Sequence, residues 1–462
     1  MVGQDVERPF AYGFHATPAL WVFVPLAIGL AIAPHTQIAA VASFFAVLIA
    51  LIFRRTLLVF LLILPLAVLY RRSFDRKDAF FDQLVGERVK VRIKVLSPLK
   101  CEISEILTDS GFAPFGARIG YSGIKLPEGT ETVGEGVITE APRWRYQTTG
   151  LHYVLDFEAG SSISPKPSFR TKVREAIKST IEEAAWDSVN SALMTAFLLG
   201  ERYEVPYELR NDFRRCGVYH LFAISGLHVG LLFTILLAIT MFLRIPRRVA
   251  IALSGCVMGL YGYLVGFSPS IMRALLMLWS FTAAMIASKR VSTLNVLAFS
   301  GVLTLLLRPY YIENLGFQLS YLATFGILLY LPAINSMKGK WLRRILIPIL
   351  VSLSASVFTT PLVSNKFDYI SLISPISSVV LSMVLWVALA ELSAFLLTGL
   401  RPFAVTANWA VGIMRLFVGY LSQFNFIALD IKFSQFVVVL WLIVVTLLGF
   451  TLRVKLTRRL LF

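Results

Sequence analysis

The sequence predicts a polytopic α-helical membrane protein with a small β-domain inserted near its N-terminal end. Of the 462 residues, 57% are hydrophobic and 15% are charged, whereas soluble proteins have about 25% charged residues. Apolar runs recur along the chain, and a transmembrane helix needs about 20 such residues. One long stretch, residues 71–165, is instead polar and strand-like. These three observations predict about 12 transmembrane spans and one extracytoplasmic domain.

Three spans are predicted in residues 1–70, at about 19–33, 37–53 and 56–70. The first run lacks the short basic lead and small-residue cleavage site of a signal peptide, so we expect it to be retained. Arg54 and Arg55 lie between the second and third spans. Lysine and arginine collect in cytoplasmic loops, so these residues indicate a cytoplasmic N-terminus and an extracytoplasmic position for residues 71–165.

Residues 71–165 are predicted to form the β-domain. Residues 89–95 alternate strictly, which places Lys90, Arg92 and Lys94 on one strand face and valine or isoleucine on the other. Further short strands are predicted at 117–121, 136–139 and 153–158. The basic face, with Trp144 and Tyr146, could bind a single-stranded nucleic acid. The alternatives are a solvated strand face and packing aromatics.

Residues 166–216 are predicted to form helices along the membrane surface. Residues 168–187 are basic and amphipathic, with Val173, Ile177 and Ile181 at steps of four. Residues 188–199 are apolar but too short to span simply, which suggests a re-entrant or interfacial piece. A second amphipathic helix is predicted at 205–216.

Residues 217–462 are predicted to contain nine spans. Their expected bounds are 217–243, 249–266, 271–288, 292–307, 315–331, 345–364, 373–397, 405–423 and 433–452. Lysine and arginine concentrate in alternate loops and in the C-terminal tail, which predicts a cytoplasmic C-terminus. The first explanation for the net charge of +17 is that lysine and arginine collect in cytoplasmic loops. The second explanation is attraction for a polyanion. The three cysteines show no metal or disulfide pattern.

The first of these spans contains residues that are costly in lipid. His220 and His228 flank Ser225 and Gly226, and Gly230 follows. Polar residues at membrane depth usually face protein or a wet cavity, and glycine permits close packing or a helix break. A metal site is disfavoured because two histidines without a nearby carboxylate or cysteine are a poor ligand set.

Residues 220–230 read HLFAISGLHVG, and three further blocks flank them at residues 199–217, 266–274 and 315–324. These four blocks closely resemble the ComEC competence family, and residues 220–230 match its signature most closely. Members of that family form the inner-membrane channel for single-stranded DNA in natural transformation. Several blocks in the same order are more specific than any single motif.

The resemblance implies an OB-like extracytoplasmic barrel and a path for DNA through the competence domain. The candidate path residues are His220, Ser225, Gly226, His228, Arg273, Gln318 and Ser320. Such a path needs scattered donors and positive charge without tight binding. A purely structural role is the alternative for these residues. The histidines, Gln318 and Ser320 could form hydrogen bonds to neighbouring helices. Arg273 could extend its charged end to the membrane interface. Glu391, an ionisable residue inside a span, suggests a structural pair or a proton carrier.

The resemblance also implies partners. These are single-stranded DNA, the lipid bilayer, a periplasmic or surface DNA receptor, a cytoplasmic DNA-translocating ATPase and single-strand-binding proteins. No cofactor is expected, and no P-loop pattern supplies ATP chemistry. A homo-oligomer is compatible with the sequence.

The sequence departs from the family pattern in places. Many members continue into a metallo-β-lactamase-like domain, but this sequence shows no clustered histidine and aspartate motif, so we expect a short form that is not an enzyme and relies on a separate nuclease. Arg308 precedes Pro309 where the family tends to have aspartate, and residues 374–378 lack an expected asparagine. The rival functions are a proton-coupled transporter for a small solute and a non-transporting membrane scaffold.

Overall fold

The computed structural model describes residues 84–97, 100–108, 111–123, 131–140, 153–163, 169–289, 291–336 and 340–459. The three predicted spans in residues 1–70 and the side chains of Trp144 and Tyr146 lie outside these residues. The chain divides into two compact units. One contains the strands of the β-domain and the other contains most of the helices, and each is described by itself.

Five strands of the β unit close into a barrel. They are β1 (Arg88–Ser97), β2 (Lys100–Thr108), β3 (Gly111–Gly123), β4 (Glu131–Glu140) and β5 (Tyr153–Ile163), and their order around the barrel is β1-β2-β3-β5-β4. β3 and β5 pair in parallel, and the remaining pairs are antiparallel. The four predicted strands fall inside β1, β3, β4 and β5.

β2 was not predicted, because a bulge interrupts its alternation. Its pairing with β3 shifts register between Ile103 and Glu105. Cys101 and Ile103 are buried two residues apart, whereas the buried Ile106 follows Ile103 by three residues. A bulge places one additional residue in the strand, so the period of two that identifies a strand is lost.

The barrel core confirms the alternation predicted for β1. Val91, Ile93 and Val95 are buried at 0%, 0% and 1% exposure. Lys90 is exposed and Arg92 is half-buried. The apolar side of β1 therefore faces the barrel interior together with Leu155 and Phe157.

Twelve helices are described in the rest of the chain. They are α1 (Phe169–Ala184), α2 (Ser188–Leu199), α3 (Tyr207–Arg215), α4 (Gly226–Phe242), α5 (Arg247–Val265), α6 (Pro269–Ile286), α7 (Thr293–Leu307), α8 (Leu315–Asn335), α9 (Lys340–Phe367), α10 (Ser374–Thr398), α11 (Arg401–Leu421) and α12 (Gln435–Arg459). Two-residue strands β6 (Ile370–Ser371) and β7 (Ala428–Leu429) pair antiparallel.

Seven of the described helices are long and apolar enough to cross a membrane: α5, α6, α8, α9, α10, α11 and α12. This establishes a multi-pass membrane protein. α4 and α7, with 17 and 15 residues, are apolar but shorter than those seven. Two of the nine spans predicted after residue 216 therefore do not reach full length as single helices.

The prediction of one continuous span over residues 217–243 was wrong. Gly217 follows α3 and has φ +72°. This left-handed conformation ends the helix and the turn after it. A short 3₁₀ turn follows at Tyr219–Phe222, and Ser225, in extended conformation, then caps α4. Because the helix begins at Gly226, His220 lies before it and His228 lies in its first turn.

The core of the helical unit is built around α2. Every residue from Asn190 to Leu199 is buried, and α2 packs against α10 and α11. α3 adds Leu209 and Phe213 from its apolar face. A short helix that is apolar on all sides is stable only when protein covers it, so α2 forms the centre about which the longer helices pack.

Candidate functional site

The site begins at the break before α4, where Ser225 and His228 form a capping box. The Ser225 amide donates to Nδ1 of His228 over 3.2 Å, and the Ser225 hydroxyl lies 3.0 Å from the same nitrogen. The Ser225 hydroxyl also accepts from the Leu227 amide over 3.2 Å. Two members of the signature therefore satisfy backbone donors that a helix start leaves open.

This capping box assigns the tautomer of His228. A neutral imidazole has one acceptor and one donor nitrogen, so Nδ1 as acceptor places the proton on Nε2. The His228 side chain is fully buried, and its Nε2 has no hydrogen-bond partner among the described residues. A buried donor without an acceptor is costly, which makes Nε2 the first unsatisfied group of the site.

Arg273, in the first turns of α6, lies beside the same helix start. Its Nη1 donates to the hydroxyl of Thr324 on α8. Its Nη2 lies 3.4 Å from the position that a Cβ on Gly226 would occupy. Arg273 therefore connects three helices and does not extend away from them, as the snorkelling alternative required.

Among the described residues, none forms a salt bridge with Arg273. Its Nε has no hydrogen-bond partner in the described part of the chain. Its neighbours Thr324 and Tyr321 are neutral. Thr324 accepts a hydrogen bond from the guanidinium, but no described side chain balances its charge.

His220 lies next to this arrangement although it belongs to a different element. Its ring is close enough to His228 for an electrostatic interaction, and it is within bonding range of the Gly217 backbone. The His220 side chain is exposed, whereas that of His228 is fully buried. His220 is therefore the accessible histidine and His228 the buried one.

The two candidates on α8 are placed differently. Gln318 donates from Nε2 to the Ile312 carbonyl over 2.8 Å, which is a local contact at the start of the helix. The Ser320 carbonyl accepts from the Thr324 hydroxyl over 2.9 Å. Because Thr324 also accepts from Arg273, Ser320 reaches the Arg273 group through its backbone, whereas Gln318 stabilises the helix start.

Glu391 pairs with a hydroxyl on the neighbouring helix. The Thr406 hydroxyl on α11 lies 2.7 Å from Oε2 of Glu391 on α10. Thr406 also lies within 3.1 Å of the carbonyls of Pro402 and Phe403. The contact joins α10 to α11 and has the geometry of an interhelical hydrogen bond.

On the barrel, glutamates stand opposite the basic face of β1 in both neighbouring strands. Lys90 pairs with Glu135, and Lys94 pairs with Glu131 on one side and Glu102 on the other. Arg92 pairs with Glu105. Opposite charges in directly facing positions stabilise a sheet, and the register of β1 places a glutamate opposite each of these basic residues.

One group of residues was missed by the sequence argument. The Arg214 guanidinium lies 4.5 Å from the centre of the Tyr369 ring and 5.6 Å from that of Phe367, and its Nη2 donates to the Phe367 carbonyl over 2.9 Å. Burial raises the pKa of the Tyr369 phenol, although Arg214 opposes this effect. The partners are 153 residues apart, so no local pattern could have joined them.

No group of three metal-binding side chains is present in the described ranges. The site is therefore a set of hydrogen-bond donors and one cation at the start of a broken helix. Together with seven apolar helices, it defines a multi-pass membrane protein with a polar site among its helices, the class that includes channels and transporters.

The chain belongs to the family described as "Competence protein", whose sequence model matches residues 197–456, more than half of the chain. This confirms the resemblance to the ComEC competence family. The matched segment contains the broken helix, Arg273 and every candidate residue of the helical unit.

Two relatives match this chain over part of its length. The chain is 28% identical over 299 residues to "ComE operon protein 3" of Bacillus subtilis (strain 168), covering 64% of this chain and 35% of that protein. It is 29% identical over 265 residues to a protein of Aquifex aeolicus (strain VF5) described as uncharacterized, covering 60% of that protein. The chain thus spans less than two thirds of the length of both relatives. No solved structure matches.

Proposed function

We propose that the protein is an inner-membrane channel that takes up single-stranded DNA during natural transformation. The observation that carries the proposal is the polar break before α4, which lies inside the segment that belongs to the competence family. In a membrane channel, irregular backbone and hydrogen-bond donors are tolerated only where they face protein or a water-filled path. His220, Ser225, Gly226, His228, Arg273, Gln318 and Ser320 are the proposed path or path-supporting residues.

The β unit is proposed to be an OB-like barrel outside the membrane. A closed order of β1-β2-β3-β5-β4 with a parallel β3–β5 contact supports this assignment. Lys90, Arg92 and Lys94 on β1, with Trp144, remain the proposed DNA-contacting face of the barrel. About 12 spans, with both termini cytoplasmic, complete the proposed topology.

The proposed protein is a channel rather than an enzyme and works with partners. A DNA receptor outside the membrane delivers the strand, and a cytoplasmic ATPase supplies the energy. Single-strand-binding proteins then hold the incoming strand, and a separate nuclease removes its complement. These roles rest on the family resemblance and are expectations for this chain.

The test is transformation frequency in the native host. A deletion strain is complemented with the parent chain, with an empty vector, and with His228→Ala or Arg273→Ala. Arg401→Ala is the matched control, because Arg401 is an exposed arginine at the start of α11, outside the proposed path. Immunoblots of membranes normalise the protein level.

We expect the parent and Arg401→Ala to restore transformation and the two path variants to lose it at normal membrane levels. If the gene is dispensable in a strain that otherwise transforms, or if the path variants transform like the parent, the proposed function is wrong.

A further inference from the structure

A half-exposed ion pair lies well inside the length of α11, which is long and apolar enough to cross a membrane. Nη1 of Arg415 on α11 lies 2.9 Å from Oδ2 of Asp187, the N-cap of α2. At a rise of 1.5 Å per residue, Arg415 is about 21 Å from the first residue of α11 and about 9 Å from the last. The hydrocarbon core is about 30 Å thick, so a spanning α11 places this pair inside the bilayer.

A second contact lies further along α11, nearer to its middle. Asn408 is about 10 Å from the first residue of α11. Its Oδ1 accepts from the Trp186 amide over 2.9 Å, and its Nδ2 donates to the Ala184 carbonyl over 3.0 Å. With Arg415, these bonds hold residues 184–187 against the central part of α11. The end of α1 and the start of α2 therefore share the membrane level of that part of α11.

A cavity with a polar lining lies beside these contacts. Its volume is about 550 Å³, and its lining includes Glu182, Asp187, Ser188, Ser191 and Glu204. The side chains of the three acidic residues are 54%, 48% and 47% exposed in that order. One water molecule needs roughly 10–15 Å³ of such space and two to four polar partners. The cavity thus offers both the room and the polar groups that water requires.

Lipid is an unsuitable surrounding for these charged groups. Asp187 and Arg415 bond each other, but each side chain remains more than 40% exposed. At membrane depth the exposed part contacts either lipid or water. Lipid tails supply no hydrogen bonds to a carboxylate or a guanidinium, so charged side chains inside a membrane face protein or a water-filled cavity. The exposure of this ion pair therefore indicates water.

Two tryptophans lie next to the cavity lining. Trp186, between the lining residues Ala185 and Asp187, meets Trp409 of α11 edge to face, with ring centroids 5.1 Å apart. The two side chains are 52% and 61% exposed. Tryptophan is enriched where one side of the residue is apolar and the other is wet. This pair is placed to separate the cavity from lipid.

We propose that the end of α1, the start of α2 and α11 enclose a water-filled cleft that enters the membrane-spanning part of the protein and is separate from the proposed DNA path. The lining carries three carboxylates, whereas two cations pair with them: Lys178 with Glu204 and Glu182, and Arg415 with Asp187. The remaining negative charge repels phosphates, so water and small hydrophilic cations suit the cleft better than a DNA strand does.

The test is the accessibility of introduced thiols in the full chain in native membranes. Ser188→Cys and Glu182→Cys each place a thiol in the cleft, in a Cys256→Ser background because Cys256 is exposed and the other two cysteines are buried. Leu416→Cys is the matched control: Leu416 follows Arg415 on α11, so it lies at the same level, and it is 74% exposed. A membrane-impermeant trimethylammonium methanethiosulfonate is added to spheroplasts or to inside-out vesicles. Thiols left unmodified are counted by a maleimide mass tag in SDS.

We expect both cleft thiols to react from one side of the membrane at least about tenfold faster than the Leu416→Cys thiol. The thiolate is the reactive species, and an apolar surrounding raises the pKa of a thiol, so each unit lowers the thiolate fraction about tenfold. The proposal is overturned if both cleft thiols stay unreactive from either side although the mass tag labels them in SDS. Equal reaction of Leu416→Cys also overturns it, because α11 at this level would then lie outside the bilayer.

A short oligothymidylate added before the reagent distinguishes the cleft from the DNA path. We expect the cleft thiols to react at an unchanged rate, even where transformation assays support DNA uptake. Protection of these thiols by the oligonucleotide would place the cleft on the DNA path and overturn its separation from that path.

Discussion

Gly217 and Ser374 are 157 residues apart in the chain and in direct contact. The Ser374 hydroxyl donates to the Gly217 carbonyl over 3.1 Å. A Cβ on Gly217 would lie 2.4 Å from the Ser374 Cβ, and Gly217 has φ +72°. This contact holds the start of α10 against the turn that precedes the broken helix, so it links two distant parts of the matched family segment.

The first prediction concerns this contact. Gly217→Ala should destabilise the protein by about 2 kcal/mol or more, because a left-handed conformation alone costs a non-glycine residue about 1–2 kcal/mol. The measurement is thermal unfolding of the purified protein. Gly230→Ala is the matched control: nothing lies within 4 Å of the added methyl group, and alanine favours the interior of α4. Equal melting temperatures for both variants would contradict the close contact.

The second prediction concerns Asn408, which is fully buried on α11. Its Nδ2 donates to the carbonyls of Ala404 and Ala184 over 2.8 and 3.0 Å. Its Oδ1 accepts from the Trp186 amide over 2.9 Å and from Nδ2 of Asn190 over 3.2 Å. The amide therefore joins α11 to the start of α2.

Asn408→Leu should destabilise the protein by about 2 kcal/mol or more, because buried polar partners lose their hydrogen bonds. Thermal unfolding in detergent measures the effect. Leu416→Ala, at a position on α11 that is 74% exposed, is the control and should change stability much less. A small effect of Asn408→Leu would show that water replaces the amide.

The third prediction is a pH dependence at Asp187, the N-cap of α2. The Asn190 amide donates to its carboxylate over 2.6 Å, and this bond lowers the pKa of Asp187. Arg415, 2.9 Å away, lowers it further. A lowered pKa stabilises the folded state above the unfolded pKa of about 4, and this contribution disappears as the pH falls through the folded pKa.

Asp187→Asn keeps a good N-cap but removes the charge. It should lower stability at pH 7 by less than about 1 kcal/mol, because both side chains of the ion pair are more than 40% exposed. Melting temperatures of parent and variant should converge as the pH falls from about 5, above the unfolded pKa, through the lowered folded pKa of Asp187. A constant difference across that interval would exclude this linkage.

The fourth prediction tests whether Glu391 is a structural partner of Thr406 or a proton carrier. Glu391→Gln retains an acceptor for the Thr406 hydroxyl but can no longer carry a proton. If Glu391 is an interhelical partner only, transformation frequency should equal that of the parent. Loss of uptake at a normal membrane level would instead support a proton role. Glu391→Leu, which removes the acceptor, should lower the melting temperature.

Local sequence was sufficient for much of the architecture. The apolar runs that predict α5, α6 and α8–α12 are visible because lipid requires about 20 apolar residues in each span. The alternation of β1 was visible because one face of a barrel strand is buried and the other is not. The family signature identified Ser225, His228 and Arg273 as unusual residues for a membrane span.

The positions of these residues relative to one another could not be predicted from local sequence. The sequence placed His220 and His228 in one span, whereas the turn that begins at Gly217 puts them in different elements. The bulge in β2 hid a strand, because it interrupts the period on which strand prediction depends.

Composition and periodicity thus determine which segments enter the membrane and which form the barrel, because burial in lipid or in a core depends on each segment alone. The contacts of Arg273 with Gly226 and Thr324, and of Arg214 with Tyr369, were decided only by the tertiary structure. Such contacts join residues from distant parts of the chain, and their energies depend on distance and on the local dielectric environment. Both quantities exist only once the helices have packed.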